Sequence, residues 1–464
     1  MSDTSENVQI VWFRRDLRLA DQPALHAAAA AGPVVPVFVL DDERAGDRKL
    51  GGASRWYLHG SLESLGSSLA RHRSRLILRK GDVVQELMAI ARATGATRIH
   101  AIRHYEPWWR EAESELGSEI ELCLYDGNYL MPPGSVTTGS GDPYKIYTPF
   151  AKALAQELPA RDVLEEPSLS LPDSWPDSDA LDDWDLLPTK PDWAGGMRGF
   201  WAPGEAAAHE TLAGFKDRVS DYEDDRNLPS IDGSSRLSPH LHLGEISPAQ
   251  VWDALSRHSG KGADTFRGEV MWRDYTQNVI YQFPKYPESS YRDTFGSGFR
   301  WRDPKQTKGA AEDLEAWQKG MTGYPIVDAG MRQLWALGWM HNRVRMIAAS
   351  FLIKHLLIDW RYGERWFWDT LVDADYANNG VNWQWVSGSG VDSNMFPRIM
   401  APLTQSDKFD AADYIREWVP ELKQLPDDEI HDPDDAKRGD YPAKRIGHKE
   451  ARERALEAYH ASKD

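Results

Sequence analysis

Between residues 8 and 127, five short runs rich in branched side chains (VQIVWF, VVPVFVL, RLILRKG, TRIHAIR and IELCLYDG) alternate with helix-patterned stretches such as 53–72 and 83–94. Strands that alternate with helices need crossover connections, and these build a doubly wound parallel sheet. Ligands of such sheets sit beyond the carboxyl ends of the strands, which here means residues 14–20, 41–44 and 104–109. No G-x-G-x-x-G follows the first run, so the chain lacks the dinucleotide fingerprint. From residue 205 the pattern becomes helical, over 206–225, 247–258, 264–282, 309–320, 325–338 and 343–358. The reading is an α/β amino-terminal domain (7–135), an interdomain connection draped over the surface (136–204), and a mainly α-helical domain (205–464). The segment PDDEIHDPDDAKRGD after Leu425 is acidic and poor in apolar residues, and it is read as solvated coil.

At 464 residues and 41% apolar content, the chain has material for two or three cores. Mean hydropathy is -0.58 with no long uncharged apolar run, which argues against a membrane span. The start MSDTSENVQI lacks a basic and then apolar leader. The single cysteine, Cys123, fits a reducing compartment, the cytoplasm. A net charge of -18 opposes nonspecific attraction to phosphates, so a nucleic-acid partner needs a local basic surface.

Residues 337–385 place Asn, Arg and Asp among densely spaced Trp. Unpaired polar groups in apolar surroundings cost about 1–3 kcal/mol each, so this stretch calls for a partner. Asn342, Arg345 and Met346 fall at i, i+3 and i+4 on one helix face, with Arg343 about a quarter-turn away. Asp373 and Asp375 offer carboxylates to Arg345 and to ligand hydroxyls or amides; a purely structural Arg–Asp pair is the alternative. Ser238 before Pro239 is either a helix cap or part of a diphosphate site. His240 and His242 have no third ligand at metal spacing, so no metal is assigned. Glu269 and Trp272, three apart, share a face. They are either a surface carboxylate beside a packed Trp, or a buried acid kept protonated next to an aromatic platform.

WFRRDLRLADQPAL (12–25) and GDPYKIYTPFAKAL (141–154) resemble two landmarks of the photolyase/cryptochrome flavoproteins, and the resemblance runs from about residue 8 to 421. It is closest to class I cyclobutane pyrimidine dimer DNA photolyases. It implies FAD bound in a U shape in the helical domain, with Tyr222, Ser234, Ser235, Leu237 and Ser238 cradling its phosphates. It implies Arg345 and Asp373 flanking the isoalloxazine, Asn379 beside flavin N5, and Asn342, Asp375 and Arg273 also at the cofactor. Glu269, Asn342 and Asn379 are the implied catalytic residues. Arg226, Arg273, Arg343 and Arg398 face DNA phosphates or the cavity rim, and Trp272, Met346 and Trp385 receive the flipped dimer. Trp383, Trp360 and Trp301 resemble the electron-relay chain, with Trp317 competing for the distal place.

The family chemistry is light-driven: reduced, anionic FAD donates an electron to a dimer in UV-damaged DNA, the ring splits as in a carbon–carbon lyase, and the electron returns. A monomer without an obligatory protein partner is expected. An antenna chromophore of folate or deazaflavin type is left open, with Glu106 as a place to hold it. Three alternatives stand: a cryptochrome-type photoreceptor without repair, a (6-4) photolyase, and a flavin redox enzyme acting on a small substrate.

Overall fold

The computed structural model describes residues 7–462 apart from 297, 394 and 395. Strands β1 (Gln9–Phe13), β2 (Val34–Leu40), β3 (Ile77–Lys80), β4 (Arg98–Ile102) and β5 (Glu121–Tyr125) form one sheet in the order β3-β2-β1-β4-β5, every neighbouring pair parallel. The two-residue period of a strand divides β1 between two cores: Val11 and Phe13 join one apolar cluster, Ile10 and Trp12 the other. Both faces are covered, which is why β1 and β2 are buried throughout. The doubly wound expectation holds, and helices dominate from Glu205 onward.

Strand order reverses between β1 and β4, the place where such sheets usually leave a ligand crevice. Here side chains fill it. Arg14 donates to Glu113 at 2.7 Å, and Arg15 pairs with Glu106, which is fully buried. The cavity remaining at the strand ends, between Arg14, Asp41, Arg48, Trp108 and Trp109, is about 60 Å³. That is far below the 300–1,000 Å³ or so of a site for a folate-sized ligand. Glu106, which was the place suggested for an antenna chromophore, is engaged by Arg15 within the protein.

Three further expectations change. The helix expected over 206–225 ends at Lys216 and is followed by single turns at Val219–Asp221 and Tyr222–Asp225. The one over 343–358 is Asn342–Ser350, continued by a π turn at Phe351–His355. The connection is more than surface drapery. Its helix Tyr147–Glu157 packs on Lys261–Gln282, with Tyr147 donating to the Gly268 carbonyl at 2.7 Å, and Trp184 is buried against Phe38.

The acidic tail also docks. Ile430 and Tyr441 are buried, Tyr441 bonds Asp328, and the helix His448–Ala461 is pinned where His448 meets His355 at 2.8 Å. A few apolar anchors decide the fate of that segment, whatever its mean composition.

Candidate cofactor and DNA-lesion cavity

A cavity of about 630 Å³ opens in the helical part. It is bordered by Tyr222, Arg226, Ser234, Ser235, Leu237 and Ser238; by Glu269, Trp272 and Arg273; by Asn342, Arg343, Arg345 and Met346; and by Asp373, Asp375, Asn379, Trp383 and Trp385. Segments more than 150 residues apart in sequence thus converge on one volume, which lies within the usual range for a cofactor-sized ligand.

Local structure explains the placement. Gly338 closes the helix Pro325–Leu337 at φ +65°, a left-handed conformation that glycine adopts without strain. The chain reverses there, and His341 caps the next helix by accepting from the Arg343 N–H at 3.3 Å. Asn342, Arg345 and Met346 then share one side as expected. Arg345 makes a two-pronged pair with Asp373 at 3.1 and 2.9 Å, and Ser238 donates to the same carboxylate at 2.6 Å. Ser238 is therefore not the cap proposed from sequence: it is the first residue of the helix Ser238–Leu243, and its hydroxyl ties that turn to Asp373.

Asp375 caps the helix Tyr376–Ser387 through the Asn378 N–H at 2.7 Å and takes Arg15 on its other oxygen at 3.3 Å. Burial works against its charge, but Arg15, His242 and Arg273 outweigh it together, and the carboxyl lies below its ordinary range.

Asn379 is positioned by groups the sequence did not single out. Its amide nitrogen donates to the carbonyl and the carboxylate of Glu364, both at 2.9 Å. Glu364 is buried and in turn accepts from Arg48 at 2.6 Å, a residue of the sheet-bearing part. Burial pushes the Glu364 carboxyl up while Arg48 pulls it down, with a net rise.

At the rim, Glu269 pairs with Arg226 at 2.6 Å, and its side chain is 41% exposed. Desolvation raises its carboxyl and Arg226 opposes the rise. The site thus holds an ion pair at its mouth, not the fully enclosed lone acid envisaged from sequence. Trp272 stands beside it, edge-on to Tyr147 at 4.8 Å, its indole donating to Asn382 at 3.2 Å. Arg343 bonds Asn227 and lies over the Phe409 ring at 4.5 Å; among the described residues it has no carboxylate partner.

The two other arginines expected to face phosphates or the rim sit differently from Arg226 and Arg343. Arg273 donates to the carbonyls of Asn128 at 2.5 Å and Leu241 at 3.1 Å and lies 4.8 Å from the Tyr129 ring, which holds it in place on the cavity lining. Arg398 is exposed but lies outside the lining. Of the relay candidates, only Trp383 borders the cavity. Trp360 is buried, with its indole on Ser290 at 3.1 Å, and Trp301 is half-buried against Phe299 at 4.2 Å. Trp317 is fully buried, 6.3 Å from Trp383, so it is a neighbour of the inner tryptophan and not an outer one. Tyr147, Arg236, His242 and Asn378 also line the cavity and were not picked out as site residues. Tyr147 lay within the 141–154 motif that carried the resemblance, and Arg236 two residues before Ser238.

The donor set suits a dinucleotide with a redox ring. Hydroxyls of Ser234, Ser235 and Ser238 with Arg236 lie in one segment, and the Arg345–Asp373 pair, tied to Ser238, borders the same cavity with Asp375 and Asn379. Chain and site together define a two-part protein whose helical half offers a cavity suited to a flavin nucleotide, bordered by Arg and Trp.

Comparison with known proteins identifies the class further. Residues 9–168 match the family described as DNA photolyase, and residues 266–461 match the FAD binding domain of DNA photolyase. A deoxyribodipyrimidine photo-lyase of Agrobacterium fabrum is 46% identical, covering 98% of both chains. The crystal structure of a bacterial class III photolyase from Agrobacterium tumefaciens superimposes with a TM-score of 0.93 at 45% identity, over 100% of both chains. Cryptochrome-1 of Sinapis alba is 36% identical, over 92% of this chain and 88% of its own. The chain belongs to the photolyase/cryptochrome family and carries its FAD-binding domain.

Proposed function

We propose that the protein is a light-driven deoxyribodipyrimidine photo-lyase that splits cyclobutane pyrimidine dimers in UV-damaged DNA. One observation carries this reading: Glu269, Trp272, Met346 and Trp385 border the same cavity as Arg345, Asp373, Asp375 and Asn379. A lesion and a flavin would share one enclosure. FAD supplies the photochemical electron donor when bound; the chain's own residues place the reactants and exclude water. Ser234, Ser235 and Ser238 are suited to hold phosphate oxygens, Arg345 and Asp373 to frame the ring system, and Glu364 to fix Asn379 against it. Trp272 and Trp385 offer stacking surfaces for flipped bases, each worth about 1–3 kcal/mol, which offsets part of the flipping cost.

The likeness to a class III photolyase supports that branch over the class I membership the motifs suggested. Domain limits of 7–135, 136–204 and 205–464 are supported by the sheet ending at Tyr125 and the helical part starting at Glu205. Among the described residues no helix is long and apolar enough to cross a membrane, and the single Cys123 supports a reducing compartment, the cytoplasm. A cryptochrome role without repair is the second reading, favoured by the similarity to Cryptochrome-1.

The deciding experiment pairs an absorption spectrum, before and after denaturation, with illumination of the reduced protein on an oligonucleotide holding one thymine dimer. Flavin release with light-dependent loss of the dimer supports repair; flavin without repair supports the photoreceptor.

Two variants probe the rim. Glu269→Gln keeps a hydrogen-bonding side chain and is expected to retain most of the repair yield, whereas Glu269→Ala loses it; equal yields would remove Glu269 from the lesion contact. Arg343, with no carboxylate to neutralise it, is expected to meet a phosphate. Its replacement by Ala should reduce the slope of log K against log salt by about 0.9, measured by fluorescence anisotropy on damaged duplex. An unchanged slope assigns it to packing on Phe409.

A further inference from the structure

His242 is 5% exposed, borders the large cavity, and has no hydrogen-bond partner on either ring nitrogen. Buried polar groups are almost always paired. Its neighbour two residues earlier shows the contrast: His240 meets Glu245 at 2.5 Å and Tyr57 at 3.2 Å, facing the sheet-bearing part. The carboxylate that pulls on it most, Asp375, does not serve His242. Asp375 Oδ1 is taken by the Asn378 backbone and side chain, and Oδ2 by Arg15 and Gln277. The partner missing from the protein must come from the cavity.

The charges around His242 suggest what that partner is. Arg15 comes from the segment after β1, Arg273 from the helix Lys261–Gln282, and Asp373 and Asp375 from the start of the helix Tyr376–Ser387. Beyond these, Arg15 carries Glu106 and Asp373 carries Arg345. Three guanidinium groups thus face three carboxylates, and the surroundings are balanced before any ligand enters. A cofactor ring that becomes anionic adds a charge with no counterpart there. His242 is the neutral donor left to meet it. Desolvation, then Arg15, hold its imidazolium form to about pH 4, against the pull of Asp375 and Asp373, so the ring is neutral at physiological pH and carries one N–H to give.

We propose that His242 is a cofactor-contacting residue whose ring N–H stabilises the anionic, reduced flavin over the oxidised one. This rests on FAD occupying the cavity, as in the proposed function. A hydrogen bond to a charged group changes an equilibrium by about ten- to a hundredfold. For a two-electron couple that equals a potential about 30–60 mV more negative once the donor is lost.

The test is spectroelectrochemical titration of the holoprotein, with electrons supplied by dithionite through mediators. His242→Ala should lower the overall two-electron potential by that amount. His242→Asn, which restores an N–H, should return most of it. A residue that merely packs would weaken oxidised and reduced binding alike and leave the potential in place, so an unchanged potential in a flavin-loaded His242→Ala overturns the proposal. Should His242→Ala lose the cofactor, the wild-type protein labelled with 15N-histidine decides. Reduced-minus-oxidised infrared spectra must contain imidazole bands that disappear in His242→Asn, and their absence also overturns the proposal. Wild-type protein that binds no flavin refutes the reading of the cavity itself, a different result from any of these.

Discussion

Arg345→Ala is expected to lower FAD affinity about a hundredfold and yield largely colourless protein on purification. Arg345 and Asp373 form a two-pronged pair at 3.1 and 2.9 Å; the carboxylate is 4% exposed and the guanidinium 24%. Removing one member leaves a desolvated carboxylate with only Ser238 to answer it. Breaking a buried pair costs about 3–5 kcal/mol, and solvent reaching Arg345 puts this case at the low end, near 3 kcal/mol. Where that cost falls on the cofactor-bound state, because the ring system seals the carboxylate from water, tenfold in affinity per about 1.4 kcal/mol gives about a hundredfold. Asp373→Asn should do less harm, because an amide still accepts from Ser238 and from Arg345. Isothermal titration of apoprotein with FAD measures both. A double-mutant cycle with Ser238→Ala separates the tie to the Ser238 turn from the pair itself, and a coupling energy near zero between Ser238 and Asp373 would contradict the shared role. If Arg345→Ala binds FAD normally, the pair is structural, which was the alternative open from sequence alone.

How far the chain could be read in advance varied with the kind of information. Strand and helix periodicity marked the parallel sheet because the inner strands β1 and β2 are buried on both faces and their branched residues run nearly unbroken. The i, i+3, i+4 spacing of Asn342, Arg345 and Met346 survived because it depends only on helix geometry. What could not be read is tertiary. Glu364 and Arg48 look like surface charges in GERWFW and DRK, and only folding brings them 2.6 Å apart behind Asn379. Likewise nothing local reveals that Asn128 and Leu241 present carbonyls to Arg273. The filled crevice at Arg14 and Arg15 is another such case: strand order fixes where a crevice falls, while side-chain volume decides whether it is empty. His242 was considered only as a metal ligand for the same reason, since a histidine's missing partner is a property of its surroundings.

Trp360→Phe should slow photoreduction of oxidised flavin by more than tenfold while leaving repair by chemically reduced protein unchanged. The two processes use different neighbours. Repair needs the lesion and the cofactor in one cavity, and Trp360 does not border it. Photoreduction needs an oxidisable path to solvent, and indole gives up an electron far more readily than a phenyl ring of similar shape. Trp383 would begin such a path at the cavity wall, where it packs on Gly363 in the helix Trp360–Thr370. Trp360 lies one turn earlier on that helix. Trp301 follows: the N–H of Arg302, the next residue, bonds the Leu357 carbonyl at 2.8 Å, just before Trp360, and Trp301 is half-buried where Trp360 is not exposed at all. Trp317 touches Trp383 but is sealed by Phe367, with its indole on the Ala348 carbonyl at 2.9 Å. An electron hole placed there has no outlet to solvent. Trp301→Phe should therefore share the defect of Trp360→Phe, whereas Trp317→Phe should cost stability and leave the photoreduction rate within about twofold. Flash photolysis in the presence of an external reductant separates the three variants. A photoreduction defect confined to Trp317→Phe would reverse the order of the path, and a repair defect in Trp360→Phe would make that residue structural.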